Sequence, residues 1–280
     1  MNLTQPSAAL RSAGSLLTEL AGTSAIWRRL LLVVAHPDDE TIAMGGQLRR
    51  FRDALLVHIT DGAPRDGEDA RRHGFADCVG YAAARRRELA AALIAGEAAT
   101  MRTVAIGIPD KQSFLDLAGL SRQLADLLRR EQPVAVLTHA YEGGHPDHDA
   151  AAFAVQAACL IMPPEDRPAI IEMPFYHARD GKMITGRFLP RATEEIVVVL
   201  GETDLRRKHL MAECFDTQRE LLPLFDLSRE CFRLAPFYDF GEPPHSGTLL
   251  YETFGWGIAG ADWRRHAVEA LDSLGALLCR

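Results

Sequence analysis

No run of apolar residues in this sequence approaches the roughly 18 that a membrane-crossing helix needs, so no span is expected. Nor is there an excess of basic charge. The 31 Lys and Arg residues stand against 38 Asp and Glu, a net charge of −7, which argues against non-specific binding to a nucleic-acid backbone. The five cysteines, Cys78, Cys159, Cys214, Cys231 and Cys279, include no C-x-x-C pair and are odd in number. They read as reduced thiols of a cytoplasmic protein. The N-terminal stretch lacks a basic start followed by a continuous apolar segment, so no secretory signal is expected. There is no internal repeat, no low-complexity tract and no linker rich in Pro, Gly or Ser. That leaves one domain over 25–280 behind a leader at 1–24. Apolar residues make up 48% of the chain, enough to build a full core. Nothing in the sequence fixes the oligomeric state, and a homo-oligomer stays open.

What is present is an alternation of strand and helix patterns. "RLLLVVA", residues 29–35, is apolar on both faces, as parallel strands are. A helix is expected over 40–53, a second strand over 54–60, and a long polar loop over 61–80. Helix formers fill 82–97, a third strand covers 103–109, and an amphipathic helix covers 115–131. A fourth strand at 133–139 precedes an Ala-rich helix at 147–158. Beyond it come strands at 169–176 and 194–200, a helix at 204–221, and a mixed tail of about fifty residues rich in Pro, Gly and aromatics. The fold class is α/β: a Rossmann-like, mostly parallel sheet with helices on both faces and an irregular C-terminal extension.

The turn after the first strand has the wrong chemistry for a phosphate, which needs glycines. Asp38, Asp39 and Glu40 stand there instead, and they attract a cation. The same layout recurs: "AHPDDETIA" follows the first strand and "GHPDHDAAA" follows the fourth. In each, His precedes Pro, which favours extended backbone for the His and helix entry for the Pro. The residue three after the His, Asp39 or His148, then falls in the first helical turn. First and fourth strands are commonly neighbours in doubly wound sheets, with ligands bound at their carboxyl ends. That would gather His36, Asp38, Asp39, His145, Asp147 and His148, a set suited to a transition metal. Either motif alone reads equally well as an acidic helix cap; the pair, each behind a strand, favours a metal site.

The two motifs together resemble the PIG-L/LmbE-like family of metal-dependent de-N-acetylases, from about Leu31 to Gln218, with an echo in "LLYETFGW". The resemblance implies a hydrolase that removes acetyl from an N-acetylated amino sugar or glycoconjugate, with Zn2+ as cofactor and Fe2+ as the alternative metal. It implies metal ligands His36, Asp39 and His148, a general base Asp38, and His145 as the group that stabilises the oxyanion or protonates the leaving amine, oriented by Asp147. Three protein ligands leave an open metal position for water, which the metal acidifies. Weaker matches imply substrate contacts from Arg85 and Asp110. Arg86 and Arg87 compete with Arg85, a solvated basic run fits as well, and Asp110 also fits a plain turn. "KHLMAECFDTQ" matches a family helix, with Thr217 in place of Ser, and reads as structural. Some members carry a Tyr two residues before the first His of the second motif; here that position is Gly143, and Tyr141 lies two residues earlier. Two other readings compete. A non-haem Fe(II) enzyme can use two His and one Asp, and a non-catalytic carbohydrate-binding descendant would have lost the base or a ligand.

Overall fold

A computed structural model describes residues 8–278. Residues 1–7 of the expected leader, and Cys279, lie outside the described residues. Helix α1, Ala8–Ala21, leads into β1, Ile26–Val34, α2, Asp39–Met44, and β2, Phe51–Pro64. The short α3, Glu68–Arg72, and the long α4, Cys78–Ala95, precede β3, Arg102–Asp110. Then come α5, Leu117–Glu131, β4, Ala135–His139, α6, Pro146–Leu160, and β5, Ala169–Met173. A separate hairpin follows, β6, Tyr176–Arg179, with β7, Lys182–Thr185. The chain closes with β8, Glu195–Val199, α7, Glu202–Ala212, β9, Arg229–Leu234, and α8, Gly260–Leu278.

Seven strands form one sheet in the order β3-β2-β1-β4-β5-β9-β8. The first five in that order run parallel, and β9 pairs antiparallel with both β5 and β8. Both faces of β1 are covered, which is why its sequence is an unbroken apolar run rather than an alternating one. Leu30, Leu32 and Val34 pack into one core with Leu16 and Leu20 of α1 and Met211 of α7. Leu31 and Val33 pack into the other with Leu120 and Leu124 of α5 and Phe153 of α6. Each such Leu or Val contributes about 1.5–3 kcal/mol on burial. Part of the stretch read as a leader therefore belongs to this core. Among the described residues no helix is long and apolar enough to cross a membrane.

Tertiary contacts moved several expected boundaries. The helix expected over 40–53 ends at Met44, because the backbone at Gly46 donates to Glu230 Oε1 at 2.7 Å. That carboxylate is itself held by Lys208 at 2.9 Å, both groups fully buried. The chain then enters β2 at Phe51. The expected polar loop over 61–80 holds the end of β2, α3 and the start of α4. The strand expected over 169–176 breaks at Pro174, which has no N–H to give. Beyond it, the N–H groups of Phe175 and Tyr176 donate to Glu142 Oε1 at 2.6 and 2.9 Å instead of to a strand. The helix expected over 204–221 stops at Ala212 and gives way to a 3-10 turn at Asp216–Gln218. The irregular C-terminal extension contains a strand inserted in the sheet and a 19-residue helix. In that helix Trp263, Ala267, Ala270 and Leu274 are buried at helical spacing. Trp263 Nε1 donates to the carbonyl of Pro146 at 3.0 Å, which ties α8 to the start of α6.

Candidate active site

β1 and β4 are neighbours in register, Leu30 facing Ala135 and Leu32 facing Leu137. Their carboxyl ends therefore deliver both His-Pro-Asp turns to one place, the point where the strand order reverses. Asp39 is the first residue of α2. His145 caps α6, Pro146 opens that helix, and His148 lies in its first turn. The second motif has the geometry its proline favours, with Pro146 at the first helical position; in the first motif Pro37 stands two residues ahead of α2, and Asp38 is the residue that caps it.

The two turns meet. His36 Nδ1 and His148 Nε2 lie 3.3 Å apart. Asp39 spans them, Oδ2 at 3.3 Å from His36 Nδ1 and Oδ1 at 3.3 Å from His148 Nε2. Two imidazole ligands held at about 2.0–2.1 Å from a tetrahedral ion stand about 3.3–3.4 Å from each other, which is the spacing of these two nitrogens. Two imidazole nitrogens facing each other beside a carboxylate are a donor set that suits a divalent cation. Ligand atoms close enough to share one ion are brought together in three overlapping groups: His36, His145 and His148; Asp39, His139 and His148; and His36, Asp110, His145 and Asp147. Although burial opposes it, His148, His139 and His36 hold the Asp39 carboxyl well below its ordinary range.

Asp38 stands between these groups and Arg85. Its backbone has φ 150°, a conformation that non-glycine residues avoid and that marks a strained, functional turn. Glu40 holds that turn: Oε2 accepts the Asp38 N–H at 3.1 Å and faces His58 Nε2 at 3.0 Å. The Asp38 carboxylate lies 3.4 Å from the Arg85 guanidinium, both side chains buried. Burial pushes its pKa up to about 7, with Arg85 opposing and Asp39 adding to the rise. Arg85 is held in turn by Thr217 Oγ1 at 3.4 Å, and Thr217 by Glu88 through its N–H at 3.0 Å and its hydroxyl at 2.5 Å. Gly62 runs against this arginine at φ 66°, where a Cβ would lie 2.8 Å from Arg85 Nε. Arg86 and Arg87 do not line the cavity; Arg85 does.

His145 Nδ1 accepts the backbone N–H of Asp147 at 3.2 Å, which leaves the proton on Nε2, facing Asp110 Oδ1 at 3.7 Å. Burial pushes His145 toward the neutral imidazole. The orienting contact thus comes from the Asp147 backbone. The Asp147 carboxylate lies 3.9 Å from His145 Nδ1 and binds the turn after β3, accepting from Lys111 N, Ser113 N and Ser113 Oγ. Asp110, at the end of β3, comes within 3.0 Å of His36 Nε2.

Sequence reasoning passed over several residues at this site. His139, the last residue of β4, accepts the Ala35 N–H at 3.0 Å, lies 3.3 Å from Asp39 Oδ2 and stacks on His148 at 4.1 Å between ring centroids. Burial, with His148 adding, lowers its pKa to about 3 and keeps it neutral. Its signal was positional: it ends the strand beside β1. Tyr176 and Trp256 line the cavity, of about 320 Å³, that opens over His36, Asp38 and Asp110. Tyr141 does not line it; its hydroxyl donates to the Glu242 carbonyl at 2.9 Å and its ring stacks on Trp263.

The family model described as PIG-L, GlcNAc-PI de-N-acetylase, matches residues 31–159, which include both motifs. A Bacillus cereus protein named as a probable N-acetyl-alpha-D-glucosaminyl L-malate deacetylase 2 is 33% identical over 148 residues, 51% of this chain and 66% of that protein. Its Bacillus subtilis counterpart is 30% identical over 54% of this chain and 69% of that protein. A Saccharopolyspora erythraea 1D-myo-inositol 2-acetamido-2-deoxy-alpha-D-glucopyranoside deacetylase 1 is 33% identical over 48% of this chain and 54% of that protein. The matches thus span about half to two thirds of the length of these relatives. Among solved structures, a deacetylase of teicoplanin biosynthesis superposes with a TM-score of 0.58 at 18% identity, covering 73% of this chain and 96% of that one. The Pyrococcus horikoshii N,N'-diacetylchitobiose deacetylase gives 0.51 at 18%, covering 84% and 95%. At that identity the structural likeness speaks for the fold.

Proposed function

The chain belongs to the PIG-L family, and from that premise we propose that it is a zinc-dependent hydrolase removing the acetyl group from an N-acetylated amino sugar or glycoconjugate. The observation that carries the reading is the meeting of His36, Asp39 and His148, their imidazole nitrogens 3.3 Å apart and each 3.3 Å from a different oxygen of Asp39, beside the buried carboxylate of Asp38. Two imidazoles and one carboxylate are a donor set that zinc accepts, with a fourth position left for water or substrate. His36, Asp39 and His148 would hold the ion. The names of the Bacillus cereus and Saccharopolyspora erythraea relatives favour an N-acetylglucosamine unit as the sugar.

When bound, the metal lowers the pKa of a water toward about 7 and polarises the amide carbonyl. Asp38 takes the proton of the attacking water. A carboxyl raised to about 7 is matched to that work at neutral pH. His145, neutral and presenting Nε2–H, donates a hydrogen bond to the developing oxyanion. Because a neutral imidazole has no spare proton, the leaving amine is protonated by Asp38, which returns the proton it took. The C–N bond breaks, and acetate and a free amine leave. Arg85 keeps Asp38 ionised and aimed, and Asp147 fixes both the His145 ring, through its N–H, and the turn after β3.

The test is amine release across a panel of N-acetylated sugars and sugar conjugates, with metal content measured on the same sample. Release of acetate and amine in equal amounts, proportional to bound metal, is the expected result. No release from any member by the metal-loaded protein would overturn the reading.

A further inference from the structure

The resemblance assigns Asp110 to the sugar, but its surroundings point elsewhere. β3 is two strands from β1 on the parallel side of the sheet, so Asp110 arrives at the same end as His36. Its Oδ1 lies 3.0 Å from His36 Nε2. The opposite nitrogen of that ring, Nδ1, is the one that faces Asp39 and His148, each at 3.3 Å. A neutral imidazole carries one proton. Held on Nε2 by Asp110, that proton leaves the Nδ1 lone pair directed at the other two candidate ligands. His148 has no such support: its Nε2 faces the cluster, and its buried Nδ1 has no hydrogen-bond partner among the described residues.

The turn that carries Asp110 is built for position. Lys111 takes φ 66°, and the Asp147 carboxylate accepts its N–H at 2.6 Å, then the Ser113 N–H at 3.0 Å and hydroxyl at 2.5 Å. The second His-Pro-Asp motif therefore fixes the residue that orients the histidine of the first. Asp147 Oδ2 also lies 3.3 Å from His36 Nε2, so two carboxylates share that proton, and Asp110 is the nearer.

We propose that Asp110 is a positioning residue for His36: it fixes the Nε2–H tautomer so that Nδ1 is free to bind the metal, and it is itself held in place by Asp147. This rests on the reading of His36 as a metal ligand. Carboxylates in this outer position set ligand orientation and basicity, and their loss costs about 10- to 100-fold in metal affinity.

The experiment is zinc affinity of the metal-stripped protein, by competition with a chromophoric chelator, for wild type, Asp110→Ala and His36→Ala. Secondary structure is checked on the same samples by circular dichroism. The KM for an N-acetylated sugar is taken with Asp110→Asn, which keeps an acceptor oxygen for Nε2–H. Asp110→Ala is expected to weaken zinc binding by about 10- to 100-fold, and Asp110→Asn to leave KM near wild type. Wild-type zinc affinity in Asp110→Ala, or a raised KM with unchanged affinity, would overturn the inference and return Asp110 to the sugar. If wild type binds zinc no better than His36→Ala, the metal-site reading fails instead. Should Asp110→Ala not fold, histidine-selective nitrogen NMR of the zinc-loaded wild type decides. Metal on His36 Nδ1 with a proton on Nε2 supports the inference, and the reverse arrangement overturns it.

Discussion

The carboxylate of Asp38 and the guanidinium of Arg85 lie 3.4 Å apart, with side chains 4% and 3% exposed. Burial alone would keep Asp38 protonated, and Arg85 is the group that opposes it most. Removing the guanidinium should protonate the base at neutral pH. Each unit of upward shift costs tenfold in the ionised fraction. Arg85→Ala is expected to lower kcat about tenfold or more at neutral pH, with KM changed less. A rise in KM at unchanged kcat would assign Arg85 to substrate binding.

Metal removal should loosen the fold as well as stop turnover. A ligand that binds only the folded state at 100 times its Kd stabilises by about 2.7 kcal/mol. For a domain of this size that is about 5–10 °C in Tm. Thermal melts of stripped and zinc-reconstituted protein check it. Equal Tm values, with zinc well above its Kd, would contradict a site built from His36, Asp39 and His148.

Tyr141 and Tyr176 should part company. The Tyr141 hydroxyl is committed to the Glu242 carbonyl, away from the cavity. Tyr141→Phe is expected to keep kcat and cost about 0.5–1.5 kcal/mol of stability, the net worth of one hydrogen bond. Steady-state kinetics with a urea melt on the same variant separate the two. A loss of kcat beyond tenfold would restore Tyr141 as an oxyanion donor.

Glu142 should give stability a slope with pH. Burial pushes its carboxyl up to about 8, from an ordinary 4.5, against the pull of the Phe175 and Tyr176 N–H groups. The folded state thus favours the protonated form. That contribution is complete below pH 4.5 and is lost as pH rises toward about 8, on the order of a few kcal/mol. Glu142→Gln, neutral throughout and still able to accept, should flatten this part of the dependence. Urea melts at pH 5 and pH 8 test it, and parallel pH slopes in the two proteins would contradict it.

Much of this site was legible because the chemistry is concentrated in two short, similar motifs behind strands. "HPDDE" and "HPDHD" put donors at fixed offsets from a strand end, and doubly wound topology does the rest. The unbroken run "LLLVV" could be read as a central strand because burial on both faces removes alternation. What could not be read depended on long-range partners. Glu40 looks like an acidic helix start; only the fold brings His58 to it and turns it into the clamp on the Asp38 N–H. His139 carries no motif and gains its place from strand register with β1. The short α2 ends where the buried Lys208–Glu230 pair captures Gly46, an interaction spanning 184 residues that local propensity does not contain. The stripe of Trp263, Ala267, Ala270 and Leu274 was masked by the small size of its alanines and the polar run between them.

The most direct test of the central claim is the Asp38→Asn variant, assayed for acetate release with its zinc content measured on the same preparation. Zinc bound as in wild type, with turnover reduced by about 10²- to 10⁴-fold, is the predicted result, as expected for loss of a general base. Deacetylation at the wild-type rate with zinc bound would contradict it.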